Sequence, residues 1–188
     1  MKARESGMPD EKTWQQFFDV EKILDELKVH NGIEKLVDFG SGYGTFTIPA
    51  SKRIKGDVYA YDIKENLIQA LDSRLKKNNI SNVILFNKDF IDKGTDLQNE
   101  EVDFVMLFNI LHAERSASIL KETYRILRKK GRVGVIHWIY DSTTPRGPSM
   151  PIRPKPEELK DMLIKAGFSI LKYNINLPPY HYGILAQK

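Results

Sequence analysis

Five short apolar runs separated by helical segments are the feature that most constrains the fold of this chain. The runs occupy residues 35–39, 58–61, 83–86, 102–108 and 132–139. Each run is nearly continuous in apolar character, as expected of strands buried on both faces of a sheet. The segments between them, at residues 44–54, 64–78 and 114–128, carry apolar residues at helical spacing. This alternation predicts parallel strands joined by right-handed crossovers.

The C-terminal part of the chain departs from this alternation. A helix is predicted from Pro156 to Gly167, because proline is favoured in the first helical turn and glycine after the last. Two apolar runs follow at residues 168–175 and 182–186, and their short connection suits an antiparallel pair. The sequence therefore predicts an α/β fold, a Rossmann-like open sheet of seven strands that is mostly parallel, with a C-terminal antiparallel strand pair and helices on both faces. Its ligand cleft is expected where strands one and four meet.

Residues 10–29 place aromatic and aliphatic side chains three and four apart, which predicts one amphipathic helix. We therefore expect an N-terminal helical cap over residues 1–30 and a ligand-binding domain over residues 31–188. The pattern leaves two roles open for the helix. It either closes over a ligand as a lid or packs statically on the sheet.

The composition excludes several classes of function. The 188 residues include no cysteine, so disulfides, thiolate metal sites and cysteine nucleophiles are excluded. No apolar stretch approaches the roughly 18 residues of a membrane helix, and the first ten residues lack the apolar core of a signal peptide. The net charge of +4 is mild and its basic residues are spread along the chain. We therefore expect a cytoplasmic protein with neither a membrane nor a nucleic acid as its partner.

A glycine-rich turn after the first strand is the most informative motif. Gly40, Gly42 and Gly44, with Ser41 between the first two, stand between a predicted strand and a predicted helix. Glycines there let the backbone turn tightly and approach a ligand. Asp62 ends the second strand, where a carboxylate can accept hydrogen bonds from both hydroxyls of a ribose.

These features also suit a nicotinamide dinucleotide, and two details separate the ligands. The glycine spacing is Gly-x-Gly-x-Gly instead of Gly-x-Gly-x-x-Gly, and Asp38 stands two residues before Gly40. A carboxylate repels a pyrophosphate but attracts an ammonium group. Asp38 therefore favours a nucleoside ligand that carries a cationic amino acid end.

From about residue 35 to residue 138 the chain resembles the class I S-adenosylmethionine-dependent methyltransferases. The likeness is to the small branch similar to ubiquinone and menaquinone biosynthesis methyltransferases. Residues 38–44 are similar to the family's first motif, and the resemblance implies that they wrap the methionine end of S-adenosylmethionine. It also implies roles for Asp62 on the ribose and Ile63 against the adenine.

The resemblance continues after the third and fourth strands. It implies that Asp89 accepts a hydrogen bond from the adenine amino group, that Phe90 flanks the ring, and that Asn109 lies beneath the sulfonium. The four residues from Asn109 to His112 depart from the Asn/Asp-Pro-Pro-Tyr/Phe element of enzymes that methylate exocyclic base amines or glutamine amides, which argues against that chemistry.

The implied activity is direct in-line transfer of a methyl group to a small-molecule acceptor, leaving S-adenosylhomocysteine. Three alternatives stay open at this point: a protein methyltransferase, an NAD(P)-binding oxidoreductase, and a non-catalytic nucleotide-binding module. Each would use a similar open sheet, since a fold does not by itself fix a reaction.

Two histidines are the candidate catalytic residues. His112 and His137 follow or end predicted central strands, so either could accept a proton from the methyl acceptor. The alternative for each is a buried neutral histidine with a structural role. His181, between Tyr180 and Tyr182, either lines the same opening or belongs to a strand, and a three-histidine metal site is not expected.

The long irregular segment at residues 140–155 leaves the ligand-binding edge of the predicted sheet. Its two arginines, Arg146 and Arg153, are predicted to clamp a carboxylate or phosphate on the acceptor. The alternative is a rigid surface loop with solvated arginines.

Overall fold

The computed structural model describes residues 8–188, which form one seven-stranded sheet. In chain order the strands are β1 (Lys35–Phe39), β2 (Asp57–Asp62), β3 (Val83–Asn87), β4 (Val102–Phe108), β5 (Leu127–Trp138), β6 (Ser169–Leu177) and β7 (His181–Gln187). Their order across the sheet is β3-β2-β1-β4-β5-β7-β6. The first five strands are parallel, and β7 runs antiparallel to both β5 and β6. The predicted Rossmann-like sheet and its antiparallel C-terminal pair are therefore confirmed.

Seven helices and one short 3-10 turn surround the described part of the sheet. They are α1 (Glu11–Gln15), α2 (Val20–Glu26), α3 (Thr47–Arg53), α4 (Glu65–Lys77), α5 (Phe90–Lys93), α6 (Ser116–Ile126) and α7 (Pro156–Lys165), with the 3-10 turn at Met150–Ile152. As predicted, α7 begins at Pro156, and the chain leaves it at Gly167, whose φ is +99°. Between residues 8 and 188 no helix has the length and apolar character to cross a membrane.

The core lies on both faces of the sheet, because successive side chains of a strand point to opposite faces. In β1, Val37 and Phe39 belong to one apolar cluster, and Leu36 belongs to the other. The first cluster takes side chains from α6 and α7, and the second takes them from α2 and α3. Helices therefore cover both faces, which is why the parallel strands read as continuous apolar runs.

The prediction of a single helix over residues 10–29 is wrong, because two short helices occupy this region. Asp10 caps α1 and Asp19 caps α2, each by accepting a hydrogen bond from a main-chain N–H three residues later. Phe17 and Phe18, between the helices, are buried, and Phe18 pairs with Pro179 in a single β-bridge. This tertiary contact holds Phe18 in an extended conformation and breaks the helix, whereas the spacing of the apolar residues alone predicts that the helix continues. A separate cap over residues 1–30 stays a prediction, and residues 1–7 lie outside the described residues.

The strand order reverses between β1 and β4, which is where the sequence places the ligand cleft. The chain runs from β1 outward through β2 and β3, and then returns to β4 on the other side of β1. The helices that follow β1 and β4 therefore diverge to opposite faces and leave a crevice at the carboxyl ends of these strands.

We predict that Gly44→Ala destabilises the protein more than Gly94→Ala does. Both glycines have positive φ, +76° and +63°, but a methyl group at Gly44 would lie 2.4 Å from Cδ1 of the buried Leu71. At Gly94 the nearest atom would be 3.5 Å away. We expect a loss of roughly 2–4 kcal/mol for Gly44→Ala, from strain and overpacking, and about 1 kcal/mol for Gly94→Ala.

Urea unfolding of the two variants and the parent protein measures this difference. Equal losses of unfolding free energy would show that the packing of Gly44 against Leu71 contributes nothing beyond the shared backbone strain.

Candidate functional site

A cleft of about 900 Å³, open solvent included, lies at the carboxyl ends of β1, β2 and β4. Eight of the twelve site residues expected from the sequence line the cleft: Gly40, Gly42, Asp62, Ile63, Asp89, Phe90, Asn109 and His112. The remaining four, Asp38, Ser41, Gly44 and His137, are not among the residues that line the cleft.

The glycine-rich turn forms one wall of the cleft with its backbone. The N–H groups of Gly40 and Ser41 both donate to the Tyr61 carbonyl oxygen, at 2.8 and 3.0 Å, which fastens the turn to β2. Gly40 has a φ of +79°, and a Cβ there would lie 3.1 Å from Cγ2 of Ile110 on the other side of the cleft. Main-chain atoms can therefore approach a ligand where a side chain would narrow the cleft.

Asp62 is the most firmly held carboxylate of the cleft. Its Oδ2 accepts from the Gly42 N–H at 2.8 Å, and its Oδ1 accepts from the Lys64 N–H at 2.9 Å. The side chain is buried against the turn, whereas the next residue, Ile63, is 40% exposed. The end of β2 thus presents a fixed acceptor beside an apolar surface, a combination that suits a ribose next to a base.

Asp89 and Phe90 form the opposite end of the cleft. The Asp89 side chain caps α5 by accepting hydrogen bonds from the N–H groups of Ile91 and Asp92. It also lines the cleft. Phe90 is buried and stacks on Phe39 with ring centroids 4.0 Å apart, which makes it a rigid wall.

Asp38 is buried behind the glycine turn and is not among the residues that line the cleft, and its role in binding a ligand stays a prediction. Its Oδ2 accepts a hydrogen bond of 2.6 Å from the Thr47 hydroxyl of α3, which draws the carboxyl into the interior. Burial raises the pKa of Asp38 to about 7, the Thr47 hydrogen bond opposes this, and the nearby Asp62 charge adds to it.

Asn109 lines the cleft directly after β4, with a φ of +57°. Its Nδ2 lies 3.2 Å from Nε2 of His181, which ends up beneath the cleft at the start of β7. His181 is buried between Phe18 and Trp138, with ring centroids 4.5 Å from each. Within residues 8–188, the buried Oδ1 of Asn109 has no hydrogen-bond partner.

The two candidate catalytic histidines contact each other, but only His112 lines the cleft. Nδ1 of His112 lies 3.2 Å from Nε2 of His137, which is fully buried behind it. Burial lowers the pKa of His112 to about 4 and lowers the pKa of His137 well below its ordinary value. Any effect of His137 on a ligand therefore passes through His112. No group of three or more described His, Asp or Glu side chains is arranged to hold a metal ion.

Sequence reasoning missed part of the cleft wall. Met8 and Trp14, from the N-terminal segment, line it together with the apolar residues Ile110 and Ala113. Trp14 also packs against Phe18, with ring centroids 5.0 Å apart. A lid over the ligand was one of the two roles left open for the N-terminal helix, and the contact of Trp14 with the cleft is compatible with it, whereas no local signal identified Met8, Ile110 or Ala113 as cleft residues.

The arginine clamp predicted in the 140–155 segment is wrong for Arg153. This side chain is buried and donates to the carbonyl oxygens of Ile139, Asp141 and Pro148. Its donors are used to hold the loop together, so it is neither a ligand clamp nor a solvated surface residue. Arg146 is exposed and is not among the residues that line the cleft.

We predict that Asp38→Asn changes how stability depends on pH. Because the pKa of Asp38 rises from 3.8 to about 7 on folding, folding takes up a proton in this window. The unfolding free energy contributed by Asp38 therefore falls as the pH rises from about 4 to about 7. Asparagine retains an acceptor for Thr47 but has no charge to lose.

Urea unfolding of both proteins at several pH values, without ligand, measures this effect. The unfolding free energy of the parent minus that of the variant should decline from about pH 4 to about pH 7. The buried histidines are common to both proteins, so their contribution cancels in this difference. A constant difference between pH 4 and pH 7 would contradict the shift of the Asp38 pKa.

Comparison with known proteins matches the part of the chain that forms this cleft to a protein family. The family described as "Methyltransferase domain" matches residues 36–131, which include β1 to β4 and the helices between them. The match covers half of the chain and contains most of the residues that line the cleft.

Curated relatives share this region at low identity. The ribosomal protein L11 methyltransferase of Bacillus subtilis is 26% identical over 139 residues, which are 74% of this chain and 39% of the relative. The demethylmenaquinone methyltransferase of a Geobacillus strain is 24% identical over 116 residues, 60% of this chain and 48% of the relative. This chain therefore spans less than half the length of either protein.

Solved structures show the same fold over nearly the whole chain. A SAM-dependent methyltransferase from Aquifex aeolicus superimposes with a TM-score of 0.84 at 24% identity, covering 95% of this chain and 94% of the other. The [4+2]-cyclase SpnF superimposes with a TM-score of 0.76 at 13% identity, covering 98% and 84%. Proteins with different reactions thus share this fold, so the reaction must be argued from the cleft.

Proposed function

The chain belongs to the methyltransferase domain family, and on that premise we propose that it transfers the methyl group of S-adenosylmethionine to an acceptor bound in the cleft. The observation that carries the proposal is the Asp62 carboxylate, held by two main-chain N–H groups beside the glycine turn. A carboxylate fixed in this position can accept hydrogen bonds from the two hydroxyls of a ribose without having to reorganise.

The remaining cleft residues fit the other parts of the cofactor. Ile63 offers an exposed apolar surface to the adenine, with Phe90 beside it and Asp89 at the same end. Gly40 and Gly42 leave main-chain room for the methionine end. The buried, unpartnered Oδ1 of Asn109 is the polar atom on the described cleft wall that a ligand donor would satisfy.

Asp38 contributes to ligand binding through the charge of its carboxylate, which lies behind the glycine turn. A cation bound at the glycine turn would favour the ionised form of Asp38 and lower its raised pKa, whereas a phosphate would oppose ionisation. Asp62 adds a second negative charge on the same side. This electrostatic environment supports an amino acid end at the turn and argues against the diphosphate of the NAD(P) alternative.

In the proposed reaction, S-adenosylmethionine held by Asp62 and the glycine turn would supply its methyl group to an acceptor atom by in-line displacement. The residues of the chain provide alignment and exclusion of water. Asp62 and the glycine turn hold one reactant, and Trp14 and Met8 close the side of the cleft. Fixing two reactants in line contributes up to roughly 7–11 kcal/mol to the lowering of the barrier.

We propose a small molecule as the acceptor. The cleft is narrowed by Trp14, Ile110 and Ala113, and the loop at residues 140–155 is held closed on itself by Arg153. These features favour a compact acceptor over an extended polymer. A protein acceptor is the second candidate, supported by the likeness to the ribosomal protein L11 methyltransferase.

We predict that Asp62→Asn weakens binding of S-adenosylhomocysteine by at least about tenfold, or roughly 1.4 kcal/mol. The amide keeps the shape of the side chain but replaces an acceptor oxygen with a donor and removes the charge. Asp57→Asn is the matched control, because Asp57 begins the same strand at the end away from the cleft.

Isothermal titration calorimetry of the three proteins with S-adenosylhomocysteine measures the affinities. Undiminished affinity in Asp62→Asn would refute the ribose assignment. Titrating the parent with NAD tests the alternative ligand, and binding of NAD without binding of S-adenosylhomocysteine would overturn the proposed function.

A further inference from the structure

We infer that the chain has a second ligand site, which binds a soluble small molecule carrying two or more phosphate groups. This site, the basic cleft, has a volume of about 490 Å³, open solvent included. The charged and polar side chains that line it are Lys28, His30, Asp103, Arg128, Lys130 and Arg132. The inference goes beyond the proposed function and does not depend on it.

The basic cleft lies at the end of the sheet opposite the proposed methyl-transfer cleft. Asp103, near the start of β4, lines the basic cleft, and Phe108, the last residue of β4, lines the other. At roughly 3.3 Å per residue, the five residues of strand between these positions span about 16 Å. The strands of the sheet fill this distance. The ligand of the basic cleft is therefore distinct from the methyl acceptor.

Two segments distant in sequence bring the cations together. Lys28 follows α2, whereas Arg132 lies in β5, two residues before Gly134 and thus on the same face of the sheet. A Cβ on Gly134 would lie 3.2 Å from Cδ1 of Leu27, so the missing side chain lets the end of α2 pack directly on β5. Lys28 and Arg132 consequently stand in two walls of one cleft.

The lining of the basic cleft carries more positive charge than its own carboxylate can neutralise. Oδ1 of the buried Asp103 lies 2.8 Å from the Arg128 guanidinium, and its Oδ2 accepts from two main-chain N–H groups at 2.7 and 2.9 Å. Within residues 8–188, no carboxylate forms an ion pair with Lys28, Lys130 or Arg132. An anion in this cleft would therefore meet three cations that lack a partner.

The backbone at Lys28 and Lys130 supports a role for their ammonium groups. Lys28 has a φ of +61° and Lys130 has a φ of +64°. Glycine and asparagine adopt this left-handed conformation more readily than lysine does. Residues held in such conformations cluster at ligand sites. Local geometry does not explain a lysine at either position, whereas a shared anionic ligand explains both.

His30 adds a donor to the basic cleft. Its Nδ1 accepts a hydrogen bond of 3.0 Å from the Gly32 N–H, so the neutral ring carries its proton on Nε2. The imidazole can therefore donate to a phosphate oxygen without having to be charged. Ammonium, guanidinium and imidazole donors together match the several acceptor oxygens of a phosphate group.

The distribution of charge favours a small ligand over a nucleic-acid backbone. The cations stand on two walls of one concave site, so a ligand with two phosphate groups can engage both walls. Acidic side chains border the positive surface. Glu34 is exposed beside Ile33 of the lining, and Glu100 lies 3.5 Å from Lys188, whose carbonyl accepts from the Lys130 N–H. A nucleic acid would instead require basic residues continued along a stripe.

Titration with inorganic diphosphate, without divalent cations, tests the site by amide NMR of the parent protein. We expect the signals of Gly32, in the lining, and Gly131, next to Lys130, to shift while those of Gly40 and Gly42 stay in place. At about 0.1 M salt, where charges more than about 10 Å apart are screened, diphosphate should bind at least about tenfold more tightly than orthophosphate. Equal affinities, or shifts confined to Gly40 and Gly42, would overturn the inference.

Matched lysine variants separate this site from overall charge. In Lys28→Asn with Lys130→Asn, we expect diphosphate affinity to fall at least about tenfold, with no loss of unfolding free energy in urea because asparagine suits the left-handed backbone. Arg132→Gln, an independent variant of the same cleft, should also weaken binding. The control is Lys77→Asn with Lys165→Asn, two exposed lysines at helix ends outside the lining. Equal weakening in this control would refute a specific site.

Two further titrations distinguish the source of the phosphate groups. A single-stranded oligouridylate presents them on a polymer, and vesicles containing phosphatidic acid present them on a membrane. Tighter binding of either, lost in Lys28→Asn with Lys130→Asn, would overturn the assignment to a soluble small molecule. Failure of the parent to bind S-adenosylhomocysteine would refute the proposed function and leave the basic cleft unaffected, so the two proposals fail separately.

Discussion

The hydrogen bonds that tie the glycine turn to the end of β2 are the constraint on which the cleft depends. Asp62 accepts from Gly42 and Lys64, and the Tyr61 carbonyl accepts from Gly40 and Ser41. These contacts convert two separate strand ends into one rigid wall, with a carboxylate already oriented for a ligand. Because the wall is formed mainly by backbone, it leaves space for the ligand and requires little reorganisation on binding.

Buried polar groups organise the opposite side of the cleft. His137 and His181 come from β5 and β7, and each contacts a residue that follows β4. The antiparallel insertion of β7 beside β5 makes this possible, since it brings His181 level with Trp138 in the sheet register. The C-terminal strand pair thus does more than complete the sheet, because β7 contributes a side chain that contacts Asn109 in the wall of the cleft.

Much of the fold and of the lining of the cleft could be predicted from local sequence. Continuous apolar strands and helical spacing indicate a parallel sheet, and the glycines and Asp62 occupy positions set by the ends of β1 and β2. The N-terminal segment was harder to predict, because the bridge between Phe18 and Pro179 joins residues distant in sequence. Arg153 was misassigned for a similar reason, as its carbonyl partners are set by the folded loop.

The sequence by itself determined the order of strands and helices, the glycine turn and the carboxylates near it, because these follow from periodicity and from positions at strand ends. Only the tertiary structure decided that Asp38 is buried behind the turn and that His137 reaches the cleft through His112. Burial and hydrogen-bond direction depend on atoms contributed by distant segments. Local pattern can name such residues, but it cannot say which side chains will surround them.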